Sequence, residues 1–418
     1  MEKINTDDFL GGIQAPAKAE SIIMALGVGG AGGNAVNHMY DMGIKDVSYM
    51  ICNTDRQALQ SSPIDNKIQL GAGLGAGNDP RKGRQAAIET LDDIMIQLEN
   101  SGVEMIFITA GMGGGTGTGA APVIAKAAKA KGILTVGIVT MPFRTEGQQR
   151  TKQALEGLKE LSQNVDSLVV IHNDNINKIY GSLPFKEALG KADDIVATAA
   201  RGIAELVTRP GLVNVDMNDV KTVMTQSGMA LMGAAFASGD NKIDSVVEAA
   251  LSSPLLNHQD IRGAKQILLN ITYNDEKSIT FDDTTRIVEL VQKRASKSVH
   301  GNEANIIWGA GEGEVTGGDI ELTIVATGFD QIDAQPTSTA RQPFDNELKP
   351  AIDKPSASGV KWNISNRYAN IESTLMQAAY FRRGMQLTGT TAKGAAVQIE
   401  KSDEGQHKAK KDDTPSLF

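Results

Sequence analysis

Two glycine-dense stretches and one knot of acidic residues are the parts of this 418-residue chain whose types and spacing could do chemistry. The first stretch reads Gly27-Val28-Gly29-Gly30-Ala31-Gly32-Gly33-Asn34, after an apolar run and before a helical pattern. Glycines there leave no Cβ in the way of an anion, and backbone N–H groups at a helix start can hold a phosphate. Gly27, Gly29 and Gly32 satisfy G-x-G-x-x-G with Asp55 further on, so a dinucleotide site, and with it a nicotinamide-dependent oxidoreductase, is one reading. The second stretch, Gly113-Gly114-Gly115-Thr116-Gly117-Thr118-Gly119, argues for another. A dinucleotide fold does not need a second cradle of this density, and the threonine hydroxyls add donors without charge. The loop holds no lysine and the chain has no G-x-x-x-x-G-K-[ST], which excludes a P-loop nucleotidase. Asn214, Asp216 and Asp219 follow Pro210-Gly211. Carboxylates this close repel one another, which a purely structural loop would avoid, although solvated acidic loops are common. No Ser/His/Asp or Cys/His arrangement competes for covalent catalysis.

The elements needed to position these residues are legible as alternation. Apolar strands at Ser21–Gly27, Val47–Cys52, Ile68–Leu70, Met105–Thr109, Ile133–Thr140 and Ser167–Ile171 alternate with helical patterns at Ala35–Met42, Arg84–Glu99, Ala120–Ala130 and Thr151–Leu161. That predicts an α/β fold with a Rossmann-like, doubly wound parallel sheet, whose ligands sit at the carboxyl ends of the strands. The glycine loops fall at those ends. A long helix is expected over Asp193–Thr208, stopped by Arg209-Pro210-Gly211, and a small-residue helix over Val220–Ala237. A helix at Ser245–Ser252, a strand at Gln266–Thr272, a helix at Thr284–Arg294 and strands at Asn305–Gly309 and Ile320–Ala326 compose a smaller α+β domain. The expected organisation is a disordered segment 1–20, a nucleotide domain 21–192, a core helix 193–211, a C-terminal domain 212–330 and a disordered linker and tail 331–418.

Composition narrows the classes further. The hydrophobic share is 41% and the charged share 22%, as in a soluble globular protein. Net charge is −9, which argues against sequence-independent binding of nucleic acid through its phosphates. An acidic body must recruit cations to hold an anionic ligand, so a magnesium requirement is expected. The single cysteine and five scattered histidines make no metal-ligand spacing, so no protein metal site is expected. Met1–Glu20 lacks the charged and apolar regions of a signal peptide, and no apolar run reaches membrane-spanning length, so a cytoplasmic location is expected.

The second glycine loop, taken with Asn53-Thr54-Asp55, Gly73–Gly77 (GLGAG), Pro142–Arg150 (PF-x-x-EG-x-x-R) and Asn214–Asp219 (N-x-D-x-x-D), resembles the tubulin/FtsZ family of GTPases in motif and order over about residues 21–330. The resemblance implies a GTP-hydrolysing cytoskeletal protein that polymerises head to tail into protofilaments, forms a division ring and shares its active site between neighbours. It implies a phosphate cradle of Gly30, Ala31, Gly32, Gly33, Asn34, Gly117, Thr118 and Gly119, with Gly75, Ala76 and Gly77 near the terminal phosphate. Glu146 is implied at the ribose, Arg150 near nucleotide and phosphate, and Asn173 with Asp194 at guanine, whose N1–H and N2–H edge suits a carboxylate. Asp193 competes with Asp194 for that task, and Glu146 and Arg150 also read as an i,i+4 ion pair. Asn214, Asp216 and Asp219 would reach the neighbour's γ-phosphate and orient water, with Mg²⁺ on the phosphates. Ala31 stands where the family usually has glycine, and Asn78-Asp79 replaces the commoner Ala-Asn before Pro80. Asp413–Phe418 matches only loosely the terminal peptide through which the family meets division and membrane-anchor proteins.

Overall fold

The computed structural model describes residues 21–329, apart from 210, 254–259, 276–277, 296–302, 314 and 316, together with 386–387 and 399–400. The expected disordered start 1–20 and the terminal peptide Asp413–Phe418 lie outside the described residues. In the C-terminal unit, Ser338–Phe418, Gln386–Leu387 pair antiparallel with Ile399–Glu400.

Six apolar strands form the parallel half of the sheet: β1 (Ile23–Val28), β2 (Val47–Asn53), β3 (Lys67–Gln69), β4 (Met105–Gly111), β5 (Leu134–Met141) and β6 (Ser167–His172). Every residue of β1 is buried, as a strand covered on both faces requires. The order β3-β2-β1-β4-β5-β6 continues into β7 (Gly228–Ala237), β10 (Ile320–Thr327), β8 (Gln266–Tyr273) and β9 (Asn305–Glu312), giving one ten-stranded sheet. On one face, α1 (Gly29–Asp41), α8 (Phe185–Thr208) and α9 (Met217–Met224) bury Val36, Met39, Val196, Ile203 and Val220 against the strands. On the other lie α3 (Pro80–Glu89), α4 (Leu91–Asn100), α5 (Thr116–Ala130) and α6 (Gln148–Asn164), around Ile94, Leu98, Ile124 and Leu161. A further core packs α10 (Lys242–Leu251) and α11 (Phe281–Ala295) on β7, β8 and β10 through Val246, Ile271, Ile287 and Leu322. The short α2 (Arg56–Gln60) and α7 (Asn173–Tyr180), neither expected from periodicity, follow β2 and β6 directly.

The helix expected over Val220–Ala237 is corrected: α9 ends at Met224 and the rest is strand β7. β7 pairs parallel with β6 through three residues and antiparallel with β10 through seven, so sheet pairing on both edges overrides a weak local preference. The helix expected over Arg84–Glu99 is two, broken at Thr90, whose φ of −113° and ψ of 14° leave helical space. The core helix starts eight residues earlier than expected, at Phe185 rather than Asp193. Helices α1 and α5 begin inside the glycine loops, at Gly29 and Thr116, instead of after them.

Candidate functional site

Strands β1 and β4 are neighbours, so their glycine loops emerge side by side at the carboxyl edge of the sheet. Close backbone approach explains the composition: a Cβ on Gly32 would lie 2.2 Å from the Thr109 carbonyl, and one on Gly117 would lie 2.6 Å from that of Gly111. The first turns of α1 and α5 carry no acidic residue, so unpaired N–H groups and two positive helix ends face the same space. That space is an open cleft of about 670 Å³, walled by Gly30, Ala31, Gly114, Gly115, Thr116, Gly117, Glu146, Arg150 and Asn173 among others. A second lobe of about 560 Å³ shares Ala31, Thr140 and Asn173 with it and adds Gly32, Asn34, Ala192, Asp193 and Val196.

Several expected residues meet here, with differences of detail. Glu146 and Arg150 are both an ion pair and part of the cleft wall, and Glu146 Oε1 accepts from the Phe143 N–H at 2.9 Å. Asn173 lines both lobes, and its Oδ1 is buried without a hydrogen-bond partner among the described residues, as an acceptor awaiting a ligand donor would be. Thr118 and Gly119 lie behind the wall: the Gly113 N–H donates to Thr118 Oγ1 at 2.8 Å, and Gly119 packs against Pro80. Gly114, Gly115 and Thr116 stand in the wall with Gly117. Gly33 is part of α1 but not of either lobe's wall. Gly75 and Gly77 are exposed at the mouth, where Ala76 Cβ abuts Gly115. This third loop is tethered, since Gly75 N–H donates to the Thr54 carbonyl at 2.8 Å and the Thr54 hydroxyl lies 2.6 Å from that of Thr116.

The two α8 carboxylates are placed differently about the second lobe. Asp193 lines the lobe, whereas Asp194 turns to His38 Nε2 at 2.6 Å and Lys191 Nζ at 2.9 Å. Burial pushes the Asp193 carboxyl up to about 6; the nearby His38 charge opposes this and Asp194 adds to it. Thr140 and Thr116 line the cleft too, and their signal was position alone, at a strand end and a helix start.

Asn214, Asp216 and Asp219 lie elsewhere. A 24-residue helix is about 36 Å long, so α8, which starts on the carboxyl side after β6 and α7, ends beyond the opposite edge of strands six to eight residues long. There the Lys221 ammonium pairs with Glu104 at 2.8 Å, just before β4, which fixes α9 to the amino edge. Asp216 and Asp219 form a reciprocal cap: Asp219 N–H donates to Asp216 Oδ1 at 2.9 Å and Asp216 N–H to Asp219 Oδ2 at 3.0 Å. Asn214 Oδ1 accepts from the Gly211 N–H at 2.6 Å. The repulsion expected between the carboxylates is thus offset by orphan N–H groups of α9. This loop cannot reach the cleft of its own molecule.

Among the described residues, no three His, Cys, Asp or Glu side chains gather as a metal cage.

A doubly wound sheet with paired glycine cradles and no lysine-bearing loop defines a nucleotide-binding protein outside the P-loop class. A model of the Tubulin/FtsZ family GTPase domain matches residues 22–181, and one of the FtsZ family C-terminal domain matches residues 228–330. The chain is 42% identical over 313 residues to the cell division protein FtsZ of Porphyromonas gingivalis, covering 74% of this chain and 67% of that one. It is 40% identical over 362 residues to that of Wigglesworthia glossinidia brevipalpis, covering 85% and 89%. Among solved structures, an empty FtsZ dimer from M. jannaschii superposes with a TM-score of 0.67 at 38% identity, covering 77% of this chain and 90% of that one. The chain belongs to the tubulin/FtsZ family and is a GTPase. Membership of this family sets the oxidoreductase alternative aside.

Proposed function

We propose that this GTPase polymerises head to tail in the cytoplasm into protofilaments that build the cell-division ring, hydrolysing GTP where one subunit's acidic loop covers the next subunit's cleft. The observation that carries the reading is the placement of cleft and acidic loop at opposite ends of one molecule. Gly30, Ala31, Gly32 and Asn34 with Gly114–Gly117 would hold the phosphates, backed by Gly33, Thr118 and Gly119 behind the wall, Gly75–Gly77 would close on the terminal one, and Glu146 and Arg150 would flank the ribose and phosphates. Asn173 with the Asp193–Asp194 pair would read the guanine edge, because carboxylates accept from N1–H and N2–H, donors adenine does not offer together. When bound, Mg²⁺ neutralises charge on the phosphates.

Phosphoryl transfer asks chiefly for positioning and charge stabilisation. The caps on α9 occupy one oxygen each of Asp216 and Asp219, leaving the other to orient an attacking water, with Asn214 beside them. Contacts with division and membrane-anchor proteins fall to the tail beyond residue 330. Among the described residues, no helix is long and apolar enough to cross a membrane. Light scattering and phosphate release recorded with GTP, GDP and no nucleotide test the reading. Scattering should rise only with GTP and decay as phosphate accumulates; equal scattering in all three would refute it.

A further inference from the structure

Resting on the head-to-tail reading, we propose that Arg56, Arg81 and Lys82 form a basic rim at the mouth of the cleft that receives the acidic loop of a second copy and sets the assembly threshold. All three side chains are exposed and flank the third loop. Arg56 follows Asp55, which is bridged to Leu74, and its N–H donates to the Gly73 carbonyl at 3.3 Å. Arg81 and Lys82 occupy the first turn of α3, which is seated on the second glycine loop: a Cβ on Gly83 would lie 2.3 Å from the Gly115 carbonyl. The rim is therefore fixed to the cradle. Leu74, 93% exposed, crests the loop between its two parts.

Helix stability does not explain the rim, because cations in a first turn oppose the helix dipole. Internal pairing explains it only in part. Arg81 forks onto Asp79 at 3.1 Å, but among the described residues Arg56 meets only the Gln69 amide oxygen and Lys82 has no carboxylate within ion-pair distance. Assembly supplies a need for it. The arriving loop brings Asp216 and Asp219 toward anionic phosphates, and the chain as a whole is acidic at −9, so the approach is repulsive unless cations line the mouth. The exposed rim and the exposed acidic loop are complementary charges at opposite ends of one molecule, which suits a partner that is another copy.

The full chain carrying Arg56→Gln and Lys82→Gln, and separately Lys82→Glu, should be compared with the unaltered protein by sedimentation with GTP across a salt series. GTP affinity is measured on dilute, unassembled protein, where retained affinity also shows that the variants fold. The double variant should raise the threshold concentration about threefold or more near 0.1 M salt, Lys82→Glu further, with the curves converging toward 1 M salt as screening shortens to about 3 Å. Affinity for GTP should stay within about twofold. A threshold and salt dependence matching the unaltered protein would overturn the rim. A drop of about tenfold in GTP affinity would do so as well, by assigning these cations to the nucleotide. If the unaltered protein fails to sediment with GTP, the filament reading falls, and the rim with it.

Discussion

At the scale of single residues, the proposed reading gives Asp219 two tasks that substitution can separate: helix capping and water orientation. Asp219→Asn keeps an oxygen acceptor for the Asp216 N–H and should leave stability nearly unchanged, whereas Asp219→Ala removes the return half of the capping box at a cost of about 0.5–1 kcal/mol, the Asp216 cap itself remaining. Both should lower GTP turnover by about 100-fold or more while leaving GTP affinity of the dilute protein within about threefold. Loss of binding in either variant would place Asp219 in its own molecule's cleft. Asp193 predicts a pH effect with opposite signs for folding and binding. Its carboxyl is held near 6 against 3.8 in the unfolded chain, so the fold prefers the protonated form. The site's contribution to stability therefore improves as pH falls from 7 through 6, and the burial penalty is fully developed above that range. If Asp193 reads guanine as proposed, the anion is needed, so GTP affinity should weaken as pH drops through 6, and Asp193→Asn should flatten that dependence in a titration of dilute protein. Much of this site was legible in residue types: glycines at two strand ends, Glu146 with Arg150, and Asn214 with its two aspartates. The choice between Asp193 and Asp194 was not. It depends on the rotation of α8 against α1, which brings His38 to Asp194 and leaves Asp193 in the lobe, a tertiary fact that spacing on one helix does not carry.

At the scale of elements, the cradle depends on how closely two loops pass. Gly32→Val would drive its side chain into the Thr109 carbonyl, spreading β4 from α1. It should cost about 1–3 kcal/mol in chemical unfolding and abolish GTP binding, whereas Gly30→Ala, with open space at its Cβ, should fold normally. Equal behaviour of the two variants would contradict the packed-cradle account. The parallel half of the fold was plain in the sequence because its strands are buried on both faces and read as unbroken apolar runs, as in Ile23–Val28. The seam was hidden. Gly228–Ala237 is rich in small residues and Met, with neither strict alternation nor β-branching, and its strand identity comes from partners distant in sequence, Ser167–Val169 and Ile320–Ala326. The Thr90 break was hidden as well, since a bent helix pair retains the apolar spacing of a single one.

At the scale of the whole molecule, α8 spaces the cleft from the acidic loop, which the proposed function reads as two half-sites. Its buried face, including Val196, Ala200, Ile203 and Leu206, fixes the acidic loop at a set distance from the cleft. The sheet runs unbroken from β3 to β9, so the two ends are carried by one framework. On the proposed reading, hydrolysis is coupled to stacking, and loss of the γ-phosphate would remove a group the interface holds, weaken the contact and let subunits exchange. Phosphate release per subunit, followed from dilute protein to well above the sedimentation threshold, tests this most directly. The account predicts a rate near zero below the threshold and a steep rise to a plateau above it. Full turnover by isolated subunits, at a rate independent of concentration, would contradict it.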